Sequence, residues 1–277
     1  MTARGRLLSG LVATVIALAG FVTAGALPAA AAGSSGTLPY VALGDSYAAG
    51  AGAPPYDLNE DCKRSSKGYP ALLDPKGRID LQVNATCAGF TSTDVYNHLP
   101  AELNEDTRLV TLTVGGNDLG FADLAEICTP EPTPACGDEI AAVPSKLGDL
   151  YSNLTLLYRE VVKRAPDALI VVTGYPHLVE PTAAFPPNLI VAFNRATDAL
   201  NSTIQKAVLA VDPTGDHVRY VDVIDAFAGH GIGAEDDPFI NATGPDAFHP
   251  NAAGYRAYAK AISAAIRDAL DRQKQLA

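Results

Sequence analysis

Five short apolar runs recur along this chain, and segments with helical spacing lie between them. The runs are Pro39–Gly44, Leu81–Ala85, Arg108–Val114, Ala168–Thr173 and Val218–Val223. Each is rich in Val, Ile or Leu and has Gly, Asp or Asn at or close to its end, the pattern of strands buried on both faces. The helical segments are Tyr69–Leu73, Thr93–Leu99, Ile140–Arg164, Leu189–Val211 and Asn251–Leu270. In the last, Tyr255, Tyr258, Ala259, Ile262, Ile266, Ala269 and Leu270 follow a 3.6-residue period behind an Asn cap. Strands that alternate with helices need parallel crossovers, so the expected class is a three-layer α/β/α domain with a mostly parallel sheet of about five strands. In such a sheet ligands bind beyond the carboxyl ends of the strands, and the residues just after each run carry the chemical interest.

The N-terminus has a different character. Arg4 and Arg6 precede an apolar run from Leu7 to Leu27, which gives way to the tract Ala30-Ala31-Ala32. Small residues dot this run and stand at the positions before a cleavage site, so residues 1–32 are expected to be a secretory signal peptide and residues 33–277 one domain. No later segment has the length and apolarity to span a membrane. The formal net charge of −11 argues against phosphate neutralisation and hence against nucleic acid as a partner. Cys62, Cys87, Cys128 and Cys136 all lie in the exported part, where two disulfides are expected. A zinc site is disfavoured, because no CxxC pair occurs and no histidine stands at ligand spacing from a cysteine or another histidine. Three prolines between Cys128 and Cys136 predict a surface loop rather than helix or central strand.

Four blocks carry possible chemistry. Gly44-Asp45-Ser46-Tyr47 places a serine at the strand-to-helix turn, where it either caps the helix or acts as a nucleophile. Gly115-Gly116-Asn117-Asp118 follows the third run, where Asn117 can cap a turn or offer its amide N–H to a developing oxyanion. Cys87-Ala-Gly-Phe-Thr91 supplies a glycine, Gly89, whose backbone N–H can face the same edge. Asp246-Ala-Phe-His249 precedes the last helix. It is either a surface turn or a pair in which Asp246 holds Nδ1–H of the imidazole and leaves Nε2 free to take a serine proton. The remaining histidines, His98, His177, His217 and His230, lack such a neighbour and read as surface or structural. No Gly-x-Ser-x-Gly elbow occurs.

Together, and in this order, the blocks resemble the SGNH or GDSL hydrolase family, and more closely its secreted lipase and esterase branch. The segments that carry the resemblance are Val41-Ala-Leu-Gly-Asp-Ser-Tyr-Ala-Ala-Gly50, Thr111-Leu-Thr-Val-Gly-Gly-Asn-Asp-Leu-Gly-Phe121 and Asp246-Ala-Phe-His-Pro-Asn251. The resemblance covers essentially the whole of residues 33–277 and implies a flavodoxin-like sheet. It implies Ser46 as nucleophile, His249 as base and Asp246 as its orienter, although some members orient the histidine through a backbone carbonyl. It implies an oxyanion hole from the N–H groups of Ser46 and Gly89 and the side chain of Asn117, with disulfides Cys62–Cys87 and Cys128–Cys136. A third cysteine pair common in that branch is missing around residues 229–241. The expected function is a secreted serine esterase or lipase, monomeric and free of cofactor or metal, with Leu119 and Phe121 candidates to line an apolar groove. A polysaccharide O-deacetylase with the same machinery is the alternative enzyme, and a non-catalytic secreted binding protein the alternative of another class.

Overall fold

The computed structural model describes residues 36–73, 77–121, 127 and 133–276. The expected signal peptide, residues 1–32, and Cys128 lie outside them. Within the compact unit Thr37–Ala277, the chain runs β1 (Leu38–Gly44), α1 (Ser46–Ala49), α2 (Tyr69–Leu72), β2 (Ile79–Asn84), α3 (Ser92–Asn97) and β3 (Leu109–Thr113). A 3-10 turn over Asn117–Leu119 follows, then α4 (Pro134–Arg164), β4 (Leu169–Thr173), α5 (Pro187–Val211), β5 (Val218–Val221), α6 (Ile224–Phe227) and α7 (Ala252–Leu276). The described strands form one five-stranded sheet in the order β2-β1-β3-β4-β5, with every pair parallel. The expected fold class is the observed one.

The chain leaves β1 toward one side of the sheet and returns to its other side at β3. That reversal opens a crevice between the carboxyl ends of β1 and β3, where an open α/β sheet binds its ligand. Register brings Gly44 opposite Thr113 there, so the loops after the two strands emerge side by side.

Strands β3 and β4 are buried at every position, as continuous apolar runs require. At the edge, β2 alternates between half-buried and exposed residues, because it has a neighbour on one side only. It also starts two residues before the apolar run. Strand β5 stops at Val221 rather than Val223, where the Asp222 carboxylate accepts the Ile224 N–H at 2.8 Å and turns the chain into α6.

The long helix α4 begins at Pro134, inside the segment expected to be loop up to Cys136. The reason is positional: proline is tolerated in a first helical turn, whose N–H groups lack intrahelical acceptors anyway. Thr133 caps that turn by accepting from the Cys136 N–H. The Asn251 cap stands as expected, its side chain accepting from Ala253 N–H at 2.8 Å. The apolar face of α7 is buried through Tyr255, Tyr258, Ile262, Ile266 and Ala269.

Cys62 and Cys87 form a disulfide. Cys136 is also disulfide-bonded.

Candidate active site

The turn after β1 exists because residue 44 is glycine. Gly44 has φ +134°, and a Cβ there would come within 2.2 Å of the Thr113 carbonyl oxygen. That carbonyl instead accepts the Asp45 N–H at 2.9 Å, which pins the turn to β3. Asp45 then caps α1 by accepting from the Tyr47 N–H, so Ser46 is the first helical residue and Asp45 takes the capping job considered for the serine. Ser46 is 7% exposed. Its N–H, like that of Gly89, has no acceptor among the described residues.

The histidine arrives from a tight turn before α7. Phe248 adopts φ +64°, a left-handed conformation uncommon outside glycine, and Tyr47 holds it by donating its hydroxyl to the Phe248 carbonyl. The Asn241 N–H donates to the His249 carbonyl at 2.9 Å. This places His249 Nε2 2.8 Å from Ser46 Oγ, across 203 residues of chain. Burial lowers the imidazole below its ordinary range; the Ala247 carbonyl opposes that shift and the Lys63 ammonium adds to it.

Asp246 does something other than what its spacing suggested. Nδ1 of His249 faces the Ala247 carbonyl at 3.1 Å, and the Asp246 carboxylate points away into an ion pair with Lys63 at 2.7 Å and a hydrogen bond from the Tyr56 hydroxyl. A DxxH turn curls tightly enough for the nearer main-chain carbonyl to reach the ring, which leaves the carboxylate to fasten the turn to residues 56–63. The expectation that Asp246 holds the imidazole by its side chain is corrected accordingly. Burial raises the Asp246 carboxyl, but Lys63 and Tyr56 together outweigh it and hold the group below its usual range.

Gly89, after β2, and Asn117, after β3, line the same cavity as Ser46. Gly89 has φ +85°, with nothing within 4 Å of a Cβ position, so conformation and not space calls for glycine there. One hydrogen of the Asn117 amide goes to the Phe90 carbonyl at 2.9 Å, which orients the amide and leaves its second hydrogen for a ligand. Asp118 accepts from the Ser92 N–H at 2.9 Å and from the Ser92 hydroxyl, tying the Asn117 turn to the start of α3; burial pushes its carboxyl up.

Ser46, Gly89, Asn117 and His249 line one cavity of about 250 Å³. Phe121, Leu178, Phe193 and Phe248 give it an apolar side. Leu119, expected beside Phe121, is fully buried in the core instead. His98 and His217 are exposed, His230 stacks on Phe239, and His177 pairs with Asp198 at 2.7 Å, a partner 21 residues away that turn spacing could not reveal. No cluster of three or more His, Cys, Asp or Glu suited to a metal occurs among the described residues.

Sequence reasoning missed Tyr47, Tyr56, Lys63 and Tyr175 at this site. Tyr47 stood inside the serine block, and Tyr175 follows β4 at the carboxyl edge, where strand ends bind ligands. For Tyr56 and Lys63 there was no signal, since their role depends on a contact with Asp246 across more than 180 residues.

A chain of this fold and site has known counterparts. The GDSL-like Lipase/Acylhydrolase family matches residues 42–257. A protein named Lipase 1 from Streptomyces coelicolor is 31% identical over 256 residues, which cover 89% of this chain and 93% of that one. A lipase from Streptomyces rimosus is 35% identical over 78% of this chain and 81% of its own length. Among solved structures, an extracellular lipase from Streptomyces rimosus superposes with a TM-score of 0.75 at 32% identity, and a phospholipase A1 from Streptomyces albidoflavus with 0.75 at 33%. Each superposition covers 82% of this chain and 99% of the other.

Proposed function

This chain belongs to the GDSL-like lipase/acylhydrolase family, and from that premise we propose that it hydrolyses carboxylic esters through an acyl-enzyme on Ser46. The observation that carries the mechanism is the 2.8 Å hydrogen bond between Ser46 Oγ and His249 Nε2 at the wall of a cavity with an apolar side.

The scheme follows from the groups present. Ser46 Oγ attacks the ester carbonyl while His249 Nε2 takes its proton. The imidazolium keeps its other proton on Nδ1, directed at the Ala247 carbonyl. Negative charge grows on the former carbonyl oxygen, and three donors from the cavity lining are assigned to it: the Ser46 N–H, the N–H of Gly89 and the second amide hydrogen of Asn117. Neutral donors fixed before the reaction stabilise such charge without reorganisation, and removing one commonly costs about a hundredfold or more in rate. His249 then protonates the leaving alcohol, and water attacks the acyl-enzyme with His249 again as base. The scheme draws on one chain and no cofactor.

The substrate reading is a fatty-acyl or lipid ester. Phe121, Leu178, Phe193 and Phe248 favour it over an acetylated polysaccharide, because each methylene moved from water to an apolar wall is worth about 0.8 kcal/mol and an acetyl group offers none to bury. Export through cleavage of residues 1–32 belongs to the same proposal. It is supported by the extracellular lipase among the similar structures, and no helix of the described residues is long and apolar enough to cross a membrane.

A fluorophosphonate probe is expected to label one serine, mapped to Ser46 by peptide analysis, and Ser46→Ala is expected to abolish hydrolysis of p-nitrophenyl esters. An adduct on another serine, or an active Ser46→Ala enzyme, sinks the assignment. Rates on acetyl, butyryl, octanoyl and palmitoyl esters test the acyl preference, and activity on acetyl alone contradicts it.

A further inference from the structure

Tyr175 belongs to none of the four sequence blocks, yet its hydroxyl stands between two of them. It donates to Asp45 Oδ2, the carboxylate immediately before Ser46, and it accepts the Gly116 N–H at 3.1 Å, immediately before Asn117. With its proton committed to Asp45, the phenol oxygen has lone pairs left for Gly116. Asp45 is 1% exposed and Tyr175 3%, so water does not compete for either bond.

The tyrosine is itself held on three sides. Its N–H donates to Asn201 Oδ1 at 2.8 Å and its carbonyl accepts from Asn201 Nδ2 at 2.8 Å, a two-point grip from α5. Its ring packs edge-on against Tyr47, with centroids 4.9 Å apart, and lines the cavity. The gripped backbone and the packed ring give the hydroxyl a defined place between the two loops.

We infer that Tyr175 is a positioning residue of the oxyanion hole, bridging the carboxylate beside Ser46 to the backbone N–H beside Asn117 and thereby fixing the amide donor against the nucleophile. The inference rests on the ester-hydrolase reading. Tyr175→Phe keeps the ring packing and removes the bridge, freeing the Gly115–Gly116 backbone to shift. A displacement of about 1 Å at such a donor is enough to cost on the order of a hundredfold.

The test measures kcat and KM for p-nitrophenyl butyrate in wild type and Tyr175→Phe, together with inhibition by an alkylboronic acid, whose adduct on Ser46 places an anionic oxygen among the oxyanion donors. The expected result is a kcat lower by about 10- to 100-fold with KM within about twofold, boronate inhibition weakened in parallel with kcat, and an unchanged pH inflection. Wild-type kcat in Tyr175→Phe, or a kcat loss that leaves boronate inhibition untouched, overturns the inference. If Tyr175→Phe does not fold, Asn201→Ala, which releases the grip on Tyr175, is expected to lower kcat by about threefold or more at constant KM; wild-type kcat there overturns it equally. Absence of Ser46-dependent hydrolysis in wild type defeats the ester-hydrolase reading itself, whereas an active wild type beside an equally active Tyr175→Phe defeats this inference alone.

Discussion

At the scale of single residues the site is organised by who neutralises whom. His249 is half-buried against Ser46 and Tyr47, with Lys63 and Asp246 the charged groups that influence it. Burial and Lys63 both disfavour the imidazolium, so its ionisation lies below the ordinary 6.5. Only the neutral ring accepts the serine proton. Activity is therefore expected to rise with pH through an inflection below 6.5 and to be flat by pH 7.5, measured as kcat/KM across pH 5 to 9. Lys63→Met removes a positive charge and frees the Asp246 carboxylate, both of which favour the imidazolium, so the inflection is expected to move to higher pH; an unmoved inflection refutes this account of Lys63. Asp246→Asn tests the corrected geometry. Because the Ala247 carbonyl holds Nδ1, this variant is expected to lose less than about tenfold in kcat, far short of the ~10⁴-fold seen when a triad carboxylate that holds the tautomer is replaced. A loss of thousands in a folded Asp246→Asn enzyme restores Asp246 as the orienter.

At the scale of elements, the glycine at the end of β1 decides whether the Ser46 turn can form against β3 at all. The β1–α1 turn lies so close to β3 that the Thr113 carbonyl oxygen occupies the space a side chain on Gly44 would need. Backbone supplies the obstacle, so no rotamer change relieves it. Gly44→Ala is expected to destabilise the protein by about 3 kcal/mol or more, combining strain at positive φ with overpacking, read as a lower urea midpoint at unchanged m; a midpoint equal to wild type contradicts the packing argument. Much at this scale was legible in the sequence. The five runs, the caps at Asn251 and the period of α7 are local features, and local sterics and burial produce them. Edges were less legible. Whether β2 is central or peripheral, and whether Pro134 starts a helix or sits in a loop, depends on what packs alongside.

At the scale of the whole molecule, buried tyrosine hydroxyls tether elements distant in sequence. Tyr255 of α7 donates to the Ala51 carbonyl at 2.7 Å just after α1, Tyr258 to the Gly174 carbonyl at 3.0 Å after β4, and Tyr69 meets Thr113 at 2.8 Å at the end of β3. In their midst, Asp45 has no cationic partner among the described residues. Burial raises its carboxyl to about 7, even against donation from Tyr175 and Tyr47. A folded-state pKa above the unfolded 3.8 means that between these values the native state holds a proton the unfolded chain has lost. Stability must then fall as pH rises through that window and level off above about 7. Relative to Asp45→Asn, wild type is expected to lose on the order of 2 to 3 kcal/mol between pH 5 and pH 7.5, from urea unfolding at each pH. A difference that does not vary with pH shows that Asp45 does not titrate in this way.

The sequence by itself determined the alternation of strand and helix, and hence the parallel sheet, together with the residues that meet at its carboxyl edge: Ser46, Gly89, Asn117 and His249. Local rules fix the alternation, since hydrophobic period selects the element and a breaker residue ends it, whereas the four residues were marked as candidates by the resemblance of their blocks to a family. Tertiary structure alone decided how those residues are held. The Ala247 carbonyl rather than the Asp246 carboxylate faces the histidine, Lys63 and Tyr56 take up that carboxylate, and Tyr175 joins the serine turn to the asparagine turn. Each of these is a hydrogen bond or ion pair whose partner is set by distance and burial. A histidine three residues away and a lysine 183 residues away compete for the same carboxylate, and the folded geometry, not separation along the chain, determines which of them meets it.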